Sequence, residues 1–262
     1  MRKPSPSSAP LSELTAIIKT FERPQCVAKL VRSIRRFYPE LKIIVGDDSL
    51  EATPIADAEY LRLPNDCGIS AGRNALLAQV RTPYFLLLDD DTEFTAATRI
   101  ERLLELVASG KVDLAAGTFI RCKRKLFFTK RRQQPYHGTM EIERGALTLR
   151  PGGRPMPCGY QVCDIVHNFF VARTAQILKL GGWCEALKVH EHEEFFLRFG
   201  RKGLVAACCP EVTTLHWQVR PARYSAFRDR DFWPQAAREM GVTRINYIDG
   251  STREFPAIAR AA

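Results

Sequence analysis

Tyr84-Phe85-Leu86-Leu87-Leu88 runs straight into Asp89-Asp90-Asp91-Thr92, and this stretch decides the fold. Apolar residues bounded by polar ones read as a strand buried on both faces, the kind found inside parallel sheets. The three aspartates then fall just beyond its carboxyl end, where open α/β sheets bind their ligands. The segments upstream repeat the pattern. Leu14–Thr20 is an apolar run with β-branched residues and a polar end, a second buried strand. Pro24 opens a segment with Val27, Leu30, Val31, Ile34 and Phe37 at helical spacing, closed by Pro39. Leu41–Val45 is a strand that stops at Asp47-Asp48-Ser49, Tyr60–Leu63 is a weaker one, and Ser70–Val80 reads as a helix. Downstream, Thr98–Ala108 carries a helical pattern and Leu114–Ile120 is another apolar strand. Strands alternating with helices imply βαβ units. The expected class is α/β, a single domain with a mixed, mostly parallel central sheet flanked by helices.

After Ile120 the periodicity fades. Between Arg121 and Arg154 there are ten basic residues and two acidic ones, Glu141 and Glu143, so +8 of the formal +10 is local. Pro135, Pro151, Gly152, Gly153 and Pro155 break the pattern, which makes this stretch a loop-rich insertion or a hairpin. Regularity returns with Val162–Ala172, a helix near Thr174–Leu180, a helix over Glu191–Lys202 and a strand over Leu204–Cys209. A last helix spans Phe232–Met240, capped by Gly241.

Composition excludes several classes. Outside the basic segment the remaining 228 residues carry 29 basic and 27 acidic groups, so this is not a histone-like protein. With 45% hydrophobic and 26% charged residues the chain is not disordered overall. Its longest purely apolar run, Leu204–Cys209, is six residues, against about 20 for a membrane span. Met1–Pro10 has positive charge but no apolar stretch behind it, so residues 1–12 read as a disordered leader rather than a secretory signal. Eight cysteines without CxxC spacing read as reduced thiols, not a structural zinc site, and point to a cytoplasmic protein. No GxGxxG follows a strand, and GxxxxGK[ST] and HExxH are absent. Dinucleotide, P-loop and zinc-protease sites are therefore excluded.

Three strand ends carry polar clusters: Lys19-Thr20, Asp47-Asp48-Ser49 and Asp89-Asp90-Asp91. Adjacent aspartates repel one another, and Mg²⁺ or Mn²⁺ would relieve that repulsion through hard oxygen ligands. A solvated loop in which Asp91 or Thr92 caps the next helix accounts for the same residues. Spacing leaves both readings open.

Taken in order, the motifs resemble a family. Lys19-Thr20-Phe21-x-Arg23-Pro24, Ile43-Ile44-Val45-x-Asp47-Asp48-Ser49, Gly72-Arg73-Asn74 and Leu87-Leu88-Asp89-Asp90-Asp91 look like a family-two glycosyltransferase of GT-A (Rossmann-like) fold. Asn168-Phe169-Phe170-Val171-Ala172-Arg173-Thr174, Gly181-Gly182-Trp183 and His192-Glu193-Glu194-Phe195-Phe196-Leu197 narrow the resemblance. It is most similar to the catalytic domain of the ganglioside-type β-1,4-N-acetylgalactosaminyltransferases, over residues 14 to 217.

The resemblance implies a division of labour. Residues 13–120 would be the nucleotide-sugar-binding half, 121–160 the basic loop-rich segment and 161–262 the acceptor-side and catalytic half. Thr20 and Arg23 would line the nucleotide pocket, with Asp47 or Asp48 accepting a hydrogen bond from uracil or ribose. Arg73, between Gly72 and Asn74, would bring a guanidinium and a helix start to the diphosphate, a pairing that suits phosphate oxygens. Asp89-Asp90-Asp91 matches the DxD motif. There Asp91 would touch the metal, Asp89 the ribose or a metal water, and Asp90 would sit with them at the nucleotide. His216 matches the late histidine that completes the metal site, and an imidazole favours Mn²⁺ somewhat over Mg²⁺; a hydrogen-bonded histidine at a strand end is the plainer alternative. The reaction would be inverting transfer of an N-acetylhexosamine, GalNAc favoured, from a UDP-sugar to a glycan or glycolipid hydroxyl. His192 stands where the family's usual aspartate base falls, with Glu194 and Glu191 as carboxylate alternatives. Trp183 would offer a face to a sugar ring, or else sits in the core.

The basic segment would attract an anionic acceptor, sialylated or phosphorylated, or an acidic membrane leaflet carrying a lipid-linked glycan. Phe127 and Phe128 between its basic triplets would suit peripheral contact at the inner membrane surface. Two other classes compete. A nucleotidyltransferase of similar fold would need a Gly-rich loop after the first strand, where the chain has Thr20-Phe21-Glu22-Arg23. A non-enzymatic polyanion-binding module would use 121–154, but the aspartate-bearing strand ends would repel phosphates. No nucleic-acid partner is expected.

Overall fold

In a computed structural model the described residues are 9–124, 129–134 and 136–256. The first half follows the alternation of the sequence: β1 (Leu14–Thr20), α1 (Pro24–Phe37), β2 (Lys42–Asp47), β3 (Glu59–Arg62), α2 (Ile69–Gln79), β4 (Tyr84–Asp89), β5 (Thr92–Glu93), α3 (Ile100–Ala108) and β6 (Leu114–Arg124). β3, β2, β1 and β4 lie side by side, all parallel. Along β4 the period of two sorts the side chains. Tyr84, Leu86 and Leu88 pack with α1 and α3, while Phe85 and Leu87 face the opposite core with α2 and α5. With every residue of the strand's interior buried, continuous apolar character is what the position demands.

The second half consists of β7 (Thr129–Gln134), β8 (Gly138–Glu143), β9 (Ala146–Pro151), β10 (Arg154–Pro155), β11 (Gln161–Cys163), β12 (Phe169–Arg173), α4 (Thr174–Leu180), α5 (His192–Arg201), β13 (Ala206–His216), α6 (Ala222–Arg228), α7 (Trp233–Met240), β14 (Arg244–Asn246) and β15 (Thr252–Glu254). β12 is inserted antiparallel between β4 and β6, and β13 then runs parallel to β6. β14 pairs parallel with β9 in a second, four-stranded sheet, β15-β14-β9-β8. Its buried Leu147, Leu149 and Ile245 join the same core as Phe170 and Phe195, so the small sheet shares the main sheet's interior.

Three expectations need correction. The stretch 121–160 is strand-rich rather than loop-rich, and of the two readings the hairpin holds: β6 turns back as β7, and β8 and β9 form a second hairpin. The β8–β9 turn is Arg144-Gly145, with φ of 49° and 77°, the two positive values a type I′ connection requires. An arginine in that place carries none of the usual Asn-Gly or Asp-Gly signal. β13 extends to His216, well past Cys209, because Pro210 sits where the register with β6 shifts, between Cys208 and Thr213. Proline is tolerated at such irregularities. Val162–Ala172 is two strands rather than one element. Of the expected leader, residues 1–8 lie outside the described residues, as do Lys125, Phe127 and Phe128 of the basic segment; Leu11–Glu13 form a single 3₁₀ turn. The seven cysteines whose side chains are described are free thiols. Among the described residues no helix is long and apolar enough to cross a membrane.

Candidate active site

The parallel strands end level with one another. Register sets Thr20 beside Asp47 and Lys19 beside Asp89, which gathers the polar clusters at one edge of the sheet. Gly72 lets α2 come close: a Cβ there would lie 2.8 Å from Cγ of Lys19. Beyond these ends opens a cavity of about 520 Å³, the size of an ordinary small-ligand site. Its acidic wall is internally paired. Lys19 Nζ lies 2.5 Å from Asp48 Oδ1, Thr20 Oγ1 donates to Asp90 at 2.6 Å, and Arg23 bonds both Asp90 and Asp91, the latter at 3.0 Å. Tyr224 of α6 stacks over the Arg23 guanidinium at 3.9 Å.

His216 is carried to Asp91 by the backbone. β5 pairs antiparallel with the end of β13, matching His216 to Thr92, and Trp217 N–H donates to the Asp91 carbonyl at 3.0 Å. His216 Nε2 then stands 3.3 Å from Asp91 Oδ1. Burial pushes the Asp91 carboxyl up, but His216 and then Arg23 outweigh it and hold it below the usual carboxylate range. Among the described residues, no three His, Cys, Asp or Glu side chains converge on one metal position. A carboxylate–imidazole pair is nevertheless present on the cavity wall, and His216 Nδ1 is buried without a partner. This donor pair suits Mn²⁺. Asp89 is not part of it, because its carboxylate is held by Arg73.

The opposite wall is the turn into α5. Arg73, 1% exposed, reaches Asp89 Oδ1 at 3.1 Å and Glu191 Oε1 at 2.6 Å, tying the end of β4 to that turn. Burial would raise Glu191, yet Arg73 and then Arg228 hold it below the carboxylate range. His192 lines the cavity with Nδ1 3.1 Å from Asn168 Oδ1, while its Nε2 has no partner in the protein. Burial drives His192 down to about 4, against the pull of Glu191, so at neutral pH it is an unprotonated base. Glu193 also lines the cavity and accepts from Tyr136 Oη at 2.8 Å; its burial raises it. His190, at φ +68°, stacks on Trp233 with ring centres 4.4 Å apart, and Tyr247 meets the same indole edge-on at 5.7 Å.

Six expected site residues do not line the cavity. Thr20 is spent on Asp90, and Asp47 on Ser49, whose N–H and hydroxyl it accepts at 2.9 and 2.5 Å. Arg73 acts as a buried brace rather than a diphosphate clamp. Asn74 exchanges hydrogen bonds with the Trp183 backbone, its amide donating at 2.8 Å and its carbonyl accepting at 2.8 Å. Glu194 is bound by Arg198 at 2.7 Å, and Arg198 in turn holds the Leu180 and Gly182 carbonyls. Trp183 is a core residue, 2% exposed and stacked on Phe195 at 5.0 Å, so it offers no face to a sugar. The sequence reading missed Lys19, Glu193, Tyr136, Trp233 and the Asp66–Arg230–Lys188 cluster, where Arg230 pairs with Asp66 at 2.5 Å. Only the polar end of β1 had signalled any of these.

A family model described as "Glycosyl transferase family 2" matches residues 15–171. The chain belongs to glycosyltransferase family 2. Among its curated relatives, mouse (Mus musculus) beta-1,4 N-acetylgalactosaminyltransferase 2 is 34% identical over 219 residues, covering 83% of this chain and 41% of that protein. Human (Homo sapiens) beta-1,4 N-acetylgalactosaminyltransferase 1 is 35% identical over 214 residues, covering 78% and 38%. The family-2 chain thus spans about two fifths of the length of the relatives it matches. A crystal structure of GalNAc-T7 with UDP, GalNAc and Mn²⁺ superposes with a TM-score of 0.60 at 13% identity, covering 79% of this chain and 44% of the other. That likeness establishes the GT-A fold of this family-2 chain, whose acid-lined strand ends and α5 turn face a common cavity.

Proposed function

We propose that this family-2 protein is a metal-dependent inverting glycosyltransferase. It would move an N-acetylhexosamine, GalNAc favoured, from a UDP-sugar to a hydroxyl of a glycan or glycolipid. The observation that carries the reading is the cavity itself: the Asp91–His216 pair and the unprotonated His192 share one chamber, held together by Arg73. The names of the relatives support the donor sugar.

In this reading Asp91 and His216 would hold the cation. The bound cation would neutralise charge on the departing diphosphate. Lys19, Arg23 and Arg230 bring further positive charge to the nucleotide side. His192 Nε2 accepts the acceptor hydroxyl proton as that oxygen bonds to the anomeric carbon and UDP leaves with the bonding pair. Trp233, backed by His190, supplies the aromatic face expected of Trp183. The acceptor in this reading is a glycan, free or lipid-linked, and the basic segment would favour one that carries an anionic group.

The test is UDP release from a panel of UDP-sugars with Mn²⁺ present. UDP-GalNAc should give the highest rate, and chelation should abolish it. Absence of both UDP binding and UDP release with every donor would overturn the proposal.

A further inference from the structure

A second cavity, about 620 Å³, shares Asp91 and Gln218 with the first. Its other walls include the first two turns of α1 (Gln25, Cys26, Lys29), the end of β6 (Arg121–Arg124) and Trp217. Here the charge balance is reversed. Asp91 is the one carboxylate on these walls among the described residues, and Arg23 and His216 already engage it. Lys29 pairs with Glu93 at 2.7 Å. Arg121, Lys123 and Arg124 have no carboxylate partner among the described residues, and Arg121 Nε is enclosed without any hydrogen-bond acceptor.

The sheet register makes this costlier. In the β6–β7 hairpin Arg121 lies directly opposite Arg132, and Lys123 opposite Lys130. Like charges facing each other across two strands are destabilising. Pro24 brings no N–H to the start of the 14-residue α1, and the Cys26 and Val27 N–H groups donate to the Arg23 carbonyl, so the helix adds the positive end of its dipole to the same place. Trp217 lies between Lys29 and Arg124, with Lys29 Nζ 4.0 Å and Arg124 Cζ 5.5 Å from the ring centre. A multivalent anion in this cavity would offer an acceptor to each of Arg121, Lys123 and Arg124, and a single carboxylate would not.

We propose that this second cavity binds a phosphate group, held by Arg121, Lys123 and Arg124 at the start of α1. The phosphate belongs either to the acceptor or to the lipid surface that presents it. The inference rests on the glycosyltransferase reading, and it adds an acceptor-side anchor that touches the reaction cavity through Asp91.

Inorganic phosphate titrated by calorimetry into protein saturated with UDP and Mg²⁺ tests it, since the nucleotide is then in place. Phosphate should bind, more weakly as salt rises. In the Lys123→Ala/Arg124→Ala protein its affinity should drop about tenfold or more. UDP affinity and slow donor hydrolysis should be unchanged in that variant. Equal phosphate affinity in both proteins, or acetate competing as well as phosphate, would overturn the site. Failure of UDP to bind at all would instead overturn the transferase reading, and the phosphate titration without nucleotide would still decide this one. Vesicles of phosphatidylcholine with and without phosphatidic acid separate the sources. Sedimentation that depends on phosphatidic acid and on Lys123 and Arg124 assigns the phosphate to the lipid surface. Phosphate binding without such sedimentation assigns it to the acceptor.

Discussion

In the donor-side cavity most of the charged groups already have protein partners, with Arg228, whose Nη1 is buried without a hydrogen bond, an exception. Asp48 has Lys19, Asp66 has Arg230 and Lys188, Asp90 and Asp91 have Arg23, and Glu191 has Arg73. In the cavity beside it three cations have none, and two more face them across a hairpin. An incoming ligand on the donor side must exchange one partner for another, so binding there is a rearrangement. On the other side a ligand only adds. The first arrangement suits a site that must release its product, and the second suits an anchor.

Substitutions on the donor side should give the largest effects. His192→Gln keeps a polar side chain but removes the base, and turnover should fall by about 10²–10⁴ with donor KM little changed, read from UDP release. Because wild-type His192 is held down to about 4, its basic form persists until pH falls towards that value. The rate should therefore stay level from neutral down through the ordinary histidine range and collapse only near pH 4. An acid limb centred near 6.5 would remove His192 from the role. Asp91→Asn should cost about 10²–10³ in turnover and also weaken Mn²⁺ binding measured directly on the protein by paramagnetic resonance.

The next effect is on stability. Arg73→Met leaves the buried Glu191 and the half-buried Asp89 without their cation and should destabilise the fold by about 3–5 kcal/mol, seen in denaturant unfolding. Retention of full stability would mean that the pairing on this side is incidental, and the contrast between the cavities would go with it. The smallest effect belongs to Glu194→Gln. Its carboxylate, 10% exposed, serves only the Arg198 brace, so stability should fall by about 1 kcal/mol and turnover should hold. A large loss of turnover would return Glu194 to the list of bases.

Most of the first half of the fold was legible because its strands are buried on both faces, and burial leaves only apolar runs ending in polar residues. The aspartates of β4, the site of His216 and the turn at His192 could be found from sequence by that logic and by family resemblance. What could not be found depends on exchange between distant groups. Arg73, Asn74 and Glu194 have the chemistry of ligand-binding residues, and nothing in their spacing says that Glu191, the Trp183 backbone and Arg198 consume it. Trp183 shows the same limit, since only packing against Phe195 decides that its ring is covered. A hairpin is among the sequence readings of the basic stretch, but the place of the β8–β9 turn was hidden because Arg144 occupies a position usually marked by asparagine or aspartate.

Arg73 has a consequence for how such a protein can change. Its two carboxylate partners, Asp89 and Glu191, lie 16 and 118 residues away along the chain. Lysine, a single point charge, cannot span both. Substitution at any one of the three positions strands the other two, so relatives that keep this cavity should vary the three together or not at all. A designer who grafts a new acceptor loop onto the scaffold can treat the exposed surface as free ground, but these three residues must travel as a set.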